Sequence, residues 1–141
     1  MYSFSLYDKY KLIQDDKFLK FYYNEFNPNG NSYYREIGSP LSTEYFPENK
    51  FKILKTNKLI SIIEKNNFNF PDLIKFNVQG AELDIIKGSL EIINKAKFII
   101  IKLQNIEYNL GAPLENEVIE FLVSNGWKLI APKFCLSGPT S

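Results

Sequence analysis

Two short runs of this chain concentrate the residue types that can hold a polar molecule or move a proton. The first, PDLIKFNVQGAELDIIKGS from Pro71 to Ser89, brings Lys75, Asn77, Gln79, Gly80, Glu82 and Asp84 close together. The second follows the apolar run FIIIKL and carries Gln104, Glu107, Tyr108 and Asn109. The chain has no histidine, which removes Ser-His and Cys-His catalysis and most zinc sites. Carboxylate, lysine and tyrosine remain as the main proton-transfer groups. Glu107 is the preferred proton acceptor, with a loop carboxylate bound to backbone amides as the plainer alternative. Asn77 can orient a hydroxyl but cannot take its proton, and it serves equally well as a turn-forming side chain. Lys75 alternates with Ile74 and Phe76, so it is either a strand-end residue reaching for water or a group beside the substrate. Glu82 falls in a first helical turn, where its simplest use is to complement the helix dipole. Gly80 permits a torsion or a close approach that side chains forbid.

Alternating strands and helices must position these residues. Leu73 to Val78 reads as a short buried strand, Gln79 and Gly80 turn the chain, and a helix begins near Ala81 with Leu83 and Ile86 inward and Asp84 and Lys87 outward. Gly88 reads as its C-cap, with Ser89 capping a second short helix through Asn94. Phe98 to Leu103 reads as a strand buried on both faces. Pro113 to Ser124 is a further helix with Val118, Phe121 and Leu122 inward, and Trp127 to Ile130 a last strand. Upstream, Phe51 to Lys55 reads as a strand and Leu59 to Lys65 as a helix packing Leu59, Ile62 and Ile63. Before residue 50, aromatic and polar residues alternate around the turn Asn27-Pro28-Asn29-Gly30-Asn31, which reads as two half-buried strands or a hairpin. The order implies right-handed crossovers and a parallel sheet.

The 141 residues fit one domain, and 45% hydrophobic with 16% aromatic content is enough for a core. Seventeen Lys and Arg against sixteen Asp and Glu leave a net charge of +1, too little for a general nucleic-acid or membrane field. Lysines and aromatics mix only around Lys17 to Tyr23, which fits a hairpin as well as a nucleic-acid surface. The lone Cys135 excludes an intrachain disulfide and a multi-cysteine metal site. The charged first twenty residues do not read as a signal peptide, and no run approaches a membrane span, so a cytoplasmic protein is expected.

The run from Pro71 to Ser89, together with IIIKLQNIEYNLGAPL from Ile99 to Leu114, resembles the second half of the FkbM-type S-adenosylmethionine-dependent methyltransferases. Gln79 and Gly80 match that family directly, and Gln104, Glu107, Tyr108 and Asn109 match its L-Q-x-x-E-Y-N pattern. The resemblance implies a Rossmann-like α/β fold and methyl transfer from S-adenosylmethionine to a hydroxyl of a sugar or small metabolite. Glu107, Asn77 and Lys75 would then be catalytic, with Tyr108, Gln79, Gly80, Glu82, Gln104 and Asn109 around the acceptor. Asn77 stands where the family usually has aspartate and Lys102 where it usually has glutamate, so no metal is expected.

Such folds hold the cofactor on a glycine-rich turn after their first strand, and no such turn precedes Pro71. The expected organisation is a single partial domain: a hairpin or irregular segment over 1–50, β/α units over 51–132 and a tail over 133–141. Cofactor-binding residues are not assignable, and a non-catalytic remnant or interaction module is the competing class. In the parent sheet the strand Leu73 to Val78 would lie beside the absent first strand. Its open edge is therefore expected to meet a second copy, another chain or the N-terminal hairpin.

Overall fold

The fold is described from a computed structural model over residues 17–130. Strand β1 (Phe18–Tyr22) leads through a 3-10 turn at Pro28–Gly30 and a short helix α1 (Ser42–Tyr45) to strand β2 (Phe51–Lys55). Helix α2 (Leu59–Asn66), strand β3 (Leu73–Phe76), helices α3 (Glu82–Gly88) and α4 (Leu90–Lys95), strand β4 (Phe98–Ile101) and helix α5 (Glu115–Ser124) follow. This is a mixed α/β arrangement in which the described strands form two separate two-stranded sheets. β1 and β2 run antiparallel with Phe18 opposite Lys55, while β3 and β4 run parallel with Leu73 opposite Phe98.

The parallel pairing is the expected consequence of a helical crossover between β3 and β4. Ile62, Ile63, Phe76, Leu83, Ile85, Ile86, Ile92, Ile93 and Val118 form one buried cluster that joins β3 to four helices. Fully burying such a side chain stabilises by roughly 1.5–3 kcal/mol. α2 packs Leu59, Ile62 and Ile63 as their spacing requires, and it ends where Asn67 enters the left-handed region at φ 52°.

Several sequence expectations are corrected. Among the described residues before residue 50 there is no two-strand hairpin: β1 takes its partner from β2, and what closes across the Asn27–Asn31 turn is an isolated antiparallel Tyr22–Ser32 bridge. The first strand of the site ends at Phe76 rather than Val78. β4 stops at Ile101 and is covered on one face only: Ile99 and Ile101 pack on the cluster, whereas Phe98 and Ile100 are over half exposed. Trp127 to Ile130 is not a strand. The Trp127 N–H instead closes the end of α5 on the Leu122 carbonyl, and its indole donates to Asn94. Gly88 is the last residue of α3 rather than its cap. Ser89 does precede α4, but its hydroxyl accepts the Ile60 N–H from α2 instead of capping. β3 pairs with β4 and with no other described strand. The expected tail over 133–141 lies outside the described residues.

Candidate functional site

Both chemical runs leave the carboxyl ends of the two parallel strands, where open α/β sheets place their ligands. The Lys102 N–H donates to the Phe76 carbonyl, so the chain leaves β3 and β4 side by side. Beyond that point residues 77–81 turn back into α3 and residues 102–114 loop into α5. The two loops meet at Gly80 and Ala112, where a Cβ built on Gly80 would lie 2.6 Å from the Ala112 Cβ. Gly80 has φ 100° and its neighbour Gln79 φ 53°. Gly80 therefore meets both demands expected of it, a left-handed backbone and a close approach.

The first loop is held from two sides. The Glu82 carboxylate is buried and accepts the Val78 N–H at 3.0 Å and the Gly80 N–H at 2.9 Å. Opposite it, the Ser32 hydroxyl donates to the Gln79 carbonyl at 2.9 Å. Burial pushes the Glu82 carboxyl above the ordinary glutamate range, countered by hydrogen bonding from the backbone N–H groups of Glu82 itself, Val78 and Gly80 and by the charge of Lys102.

The second loop is stitched to the segment between the 3-10 turn and α1. The buried Asn109 amide donates to the Tyr34 carbonyl at 2.8 Å, and Glu36 and Asn109 form an antiparallel bridge. The N–H groups of Ile37 and Gly38 both donate to the Tyr108 carbonyl. Burial raises the Tyr108 phenol, and the Glu36 carboxylate adds to this by its charge and by hydrogen bonding. Glu36 is itself buried and accepts the Ser42 hydroxyl at 2.9 Å. Tyr34 donates its hydroxyl to Asp84 on α3, and burial first, then Asp84, raises that phenol strongly.

The predicted residues thus divide. Gln79, Gly80, Tyr108 and Asn109 are brought together, Asn109 as a buried strut. Glu82 lies beneath the turn as an internal bracket. Glu107 is exposed and accepts the Gly111 N–H at 2.9 Å through Oε1, the arrangement of a loop carboxylate on a backbone amide. Lys75 and Asn77 are exposed, and no side-chain hydrogen bond ties Asn77 to the turn among the described residues. Gln104 accepts the Glu115 N–H on its carbonyl, while its side-chain Nε2 is buried without a partner.

Ser32, Tyr34 and Glu36 were not expected here. They stand at every second position, a spacing that could have pointed to a shared face, but nothing in the local sequence named the loops they meet. A shallow cavity of about 550 Å³ between Phe98, Ile99, Trp127 and Ile130 opens at the other end of β4 and takes no part in the site.

A parallel β–α–β unit with polar loops converging at its carboxyl edge defines a mixed α/β domain with a candidate site at that edge. The chain belongs to the FkbM methyltransferase family: the family model described as "Methyltransferase FkbM domain" matches residues 7–129. No curated protein and no solved structure matches the chain.

Family membership implies a methyltransferase, and such a family generally uses S-adenosylmethionine. The described residues do not fit a cradle for that cofactor. A cradle needs glycines that leave room at a strand end and backbone N–H groups free to point into it. Around Gly80 the room is filled by Ala112, and the Val78 and Gly80 N–H groups are taken by Glu82. Gly30 abuts Glu36 and Phe46, Gly38 abuts Tyr108, and Gly111 and Gly126 stand singly in open loops.

Proposed function

We propose that this chain is the acceptor-binding half of an S-adenosylmethionine-dependent O-methyltransferase of Rossmann-like plan. Its ligand is a hydroxyl of a sugar or small metabolite, and the cofactor cradle comes from residues other than those described. The observation that carries this reading is the convergence of the 77–81 and 102–112 loops at the carboxyl ends of the parallel strands. On this reading Gln79 and Tyr108 hold the polar groups of an acceptor. Glu107 uses Oε1 to fix its own loop and keeps Oε2 for solvent or for a hydroxyl proton. Asn77 and Lys75 orient an acceptor at the exposed strand end. No described arrangement polarises the acceptor beyond these groups.

Two measurements test the proposal. Excess S-adenosylmethionine should leave the melting temperature of this chain unchanged, whereas a ligand at a hundred times its Kd would add about 2.7 kcal/mol. A clear rise would show that the chain carries a cradle of its own. Amide spectra recorded with neutral sugars should shift at Gln79, Gly80 and Gln104 to Leu110. Shifts that are absent or map elsewhere would favour the second reading, a non-catalytic methyltransferase-like module. That reading draws on Asn77, Lys102 and the packed Gly80.

A further inference from the structure

Gln79 and Gly80 adopt consecutive left-handed conformations, a costly arrangement for Gln79, whose Cβ clashes there. Three things hold it. Ser32 pulls on the Gln79 carbonyl, Ala112 blocks movement behind Gly80, and the Glu82 carboxylate spans the turn from Val78 N–H to Gly80 N–H. Of these only the carboxylate can be switched off. Ionised, it offers charged acceptors to both N–H groups; protonated, the bonds lose their charge assistance and the hydroxyl oxygen keeps only a weaker acceptor capacity, so the bracket is weakened on that side. An amide at this position goes further, because its nitrogen only donates and one of the two N–H bonds is lost outright.

We infer that Glu82 is the positioning residue of the acceptor end: its carboxylate holds Gln79 in place from beneath, and taking up a proton releases the Val78–Gly80 turn. The inference rests on the acceptor-side reading only for the purpose of the turn; the bracket stands on geometry alone. Lys102, following β4, faces Glu82 with its charge and favours the closed state, while Asp84 on the same helix is engaged by Tyr34. Glu117 on α5 acts on the Tyr34 phenol only through its charge, as does Glu82. Because burial places the Glu82 carboxyl above the ordinary value, release begins at a pH higher than an exposed glutamate would require.

The sign for global stability is opposite to that for the turn. The folded chain holds the Glu82 proton more tightly than the unfolded one. The stability that this proton contributes is therefore present at low pH and is lost as pH rises from the ordinary glutamate value through the raised one. Acidification should loosen the turn while this carboxyl does nothing to unfold the chain. A bracket that merely supported the fold would not separate the two.

The test is an amide-resolved pH titration of the intact chain, repeated on Glu82→Gln. Val78 and Gly80 should titrate together, with one midpoint above the ordinary glutamate range. In Glu82→Gln that shared titration should vanish, and hydrogen exchange at one of the two amides should quicken roughly ten- to hundredfold, as expected for loss of a bond to a charged group. Independent midpoints, no titration in the wild type, or a shared titration that persists in the variant would overturn the inference. The wild-type titration decides the matter even where the variant does not fold. A shared titration without sugar-induced shifts supports the bracket and removes the acceptor reading, so the two fail separately.

Discussion

Gly80→Ala is expected to cost about 2–6 kcal/mol and to displace the two loops at the acceptor end. Two penalties add. At φ 100° an L side chain is strained, worth about 1–3 kcal/mol. The added methyl would also sit 2.6 Å from the Ala112 Cβ and 3.5 Å from the Asn109 and Tyr34 Cβ atoms, and overpacking of that kind costs about 1–3 kcal/mol. The clashing Ala112 Cβ is not the tip of a flexible side chain, so relief requires the loops to part. Urea unfolding should show the midpoint falling with an unchanged slope. Gly111→Ala is the matched control: its φ is 74° but nothing lies within 4 Å of the new methyl, so only the strain remains. A Gly80→Ala variant no less stable than Gly111→Ala would mean that the two loops are not in contact.

Phe46→Ala should destabilise by about 3–5 kcal/mol, the usual cost of emptying a buried aromatic site. Phe46 has no exposed surface, and its N–H and carbonyl are both engaged, by the Ser42 carbonyl at 2.7 Å and the Arg35 guanidinium at 3.3 Å. Its ring lies 2.6 Å from where a Cβ on Gly30 would stand, beside the Glu36 carboxylate. The cavity therefore opens under the segment that carries Ser32, Tyr34 and Glu36 to the site. This geometry makes a sharper expectation for the pair: Gly30→Ala alone overpacks the ring, so the double variant should cost less than the two single changes added together. Equilibrium unfolding of the four proteins measures the coupling, and simple additivity would show that ring and glycine do not meet.

Much of the β/α half could be read from residue order because its signals are local. The 3.6-residue spacing of Leu59, Ile62 and Ile63, the apolar run at Phe98, and the turn at Gln79-Gly80 before an acidic first turn each fix their element without distant help. Membership of the FkbM family was legible for the same reason, since the quoted motifs are contiguous. The errors cluster where an outcome depends on a partner. β1 could not name β2 as its neighbour, because alternation records a buried face but not what covers it. Trp127 to Ile130 had strand composition and no described strand beside it to pair with. β4 had the residues of a strand buried twice over, yet Phe98 and Ile100 face outward.

The sequence alone determined which groups are available for chemistry: carboxylate, lysine and tyrosine without histidine, set on two runs that leave the ends of successive strands. It also determined that one glycine had to occupy the first turn. Only the tertiary structure decided how those groups are used. Glu82 and Glu107 are both acidic loop residues with the same intrinsic chemistry, but one is buried against two backbone N–H groups and the other stays in water with a single amide. That division follows from the meeting of Gly80 with Ala112 and from the Ser32 to Gly38 strap laid across both loops. Burial and hydrogen-bond partners, which set what a carboxylate can do, belong to contacts between segments far apart in the chain, and no local pattern encodes them.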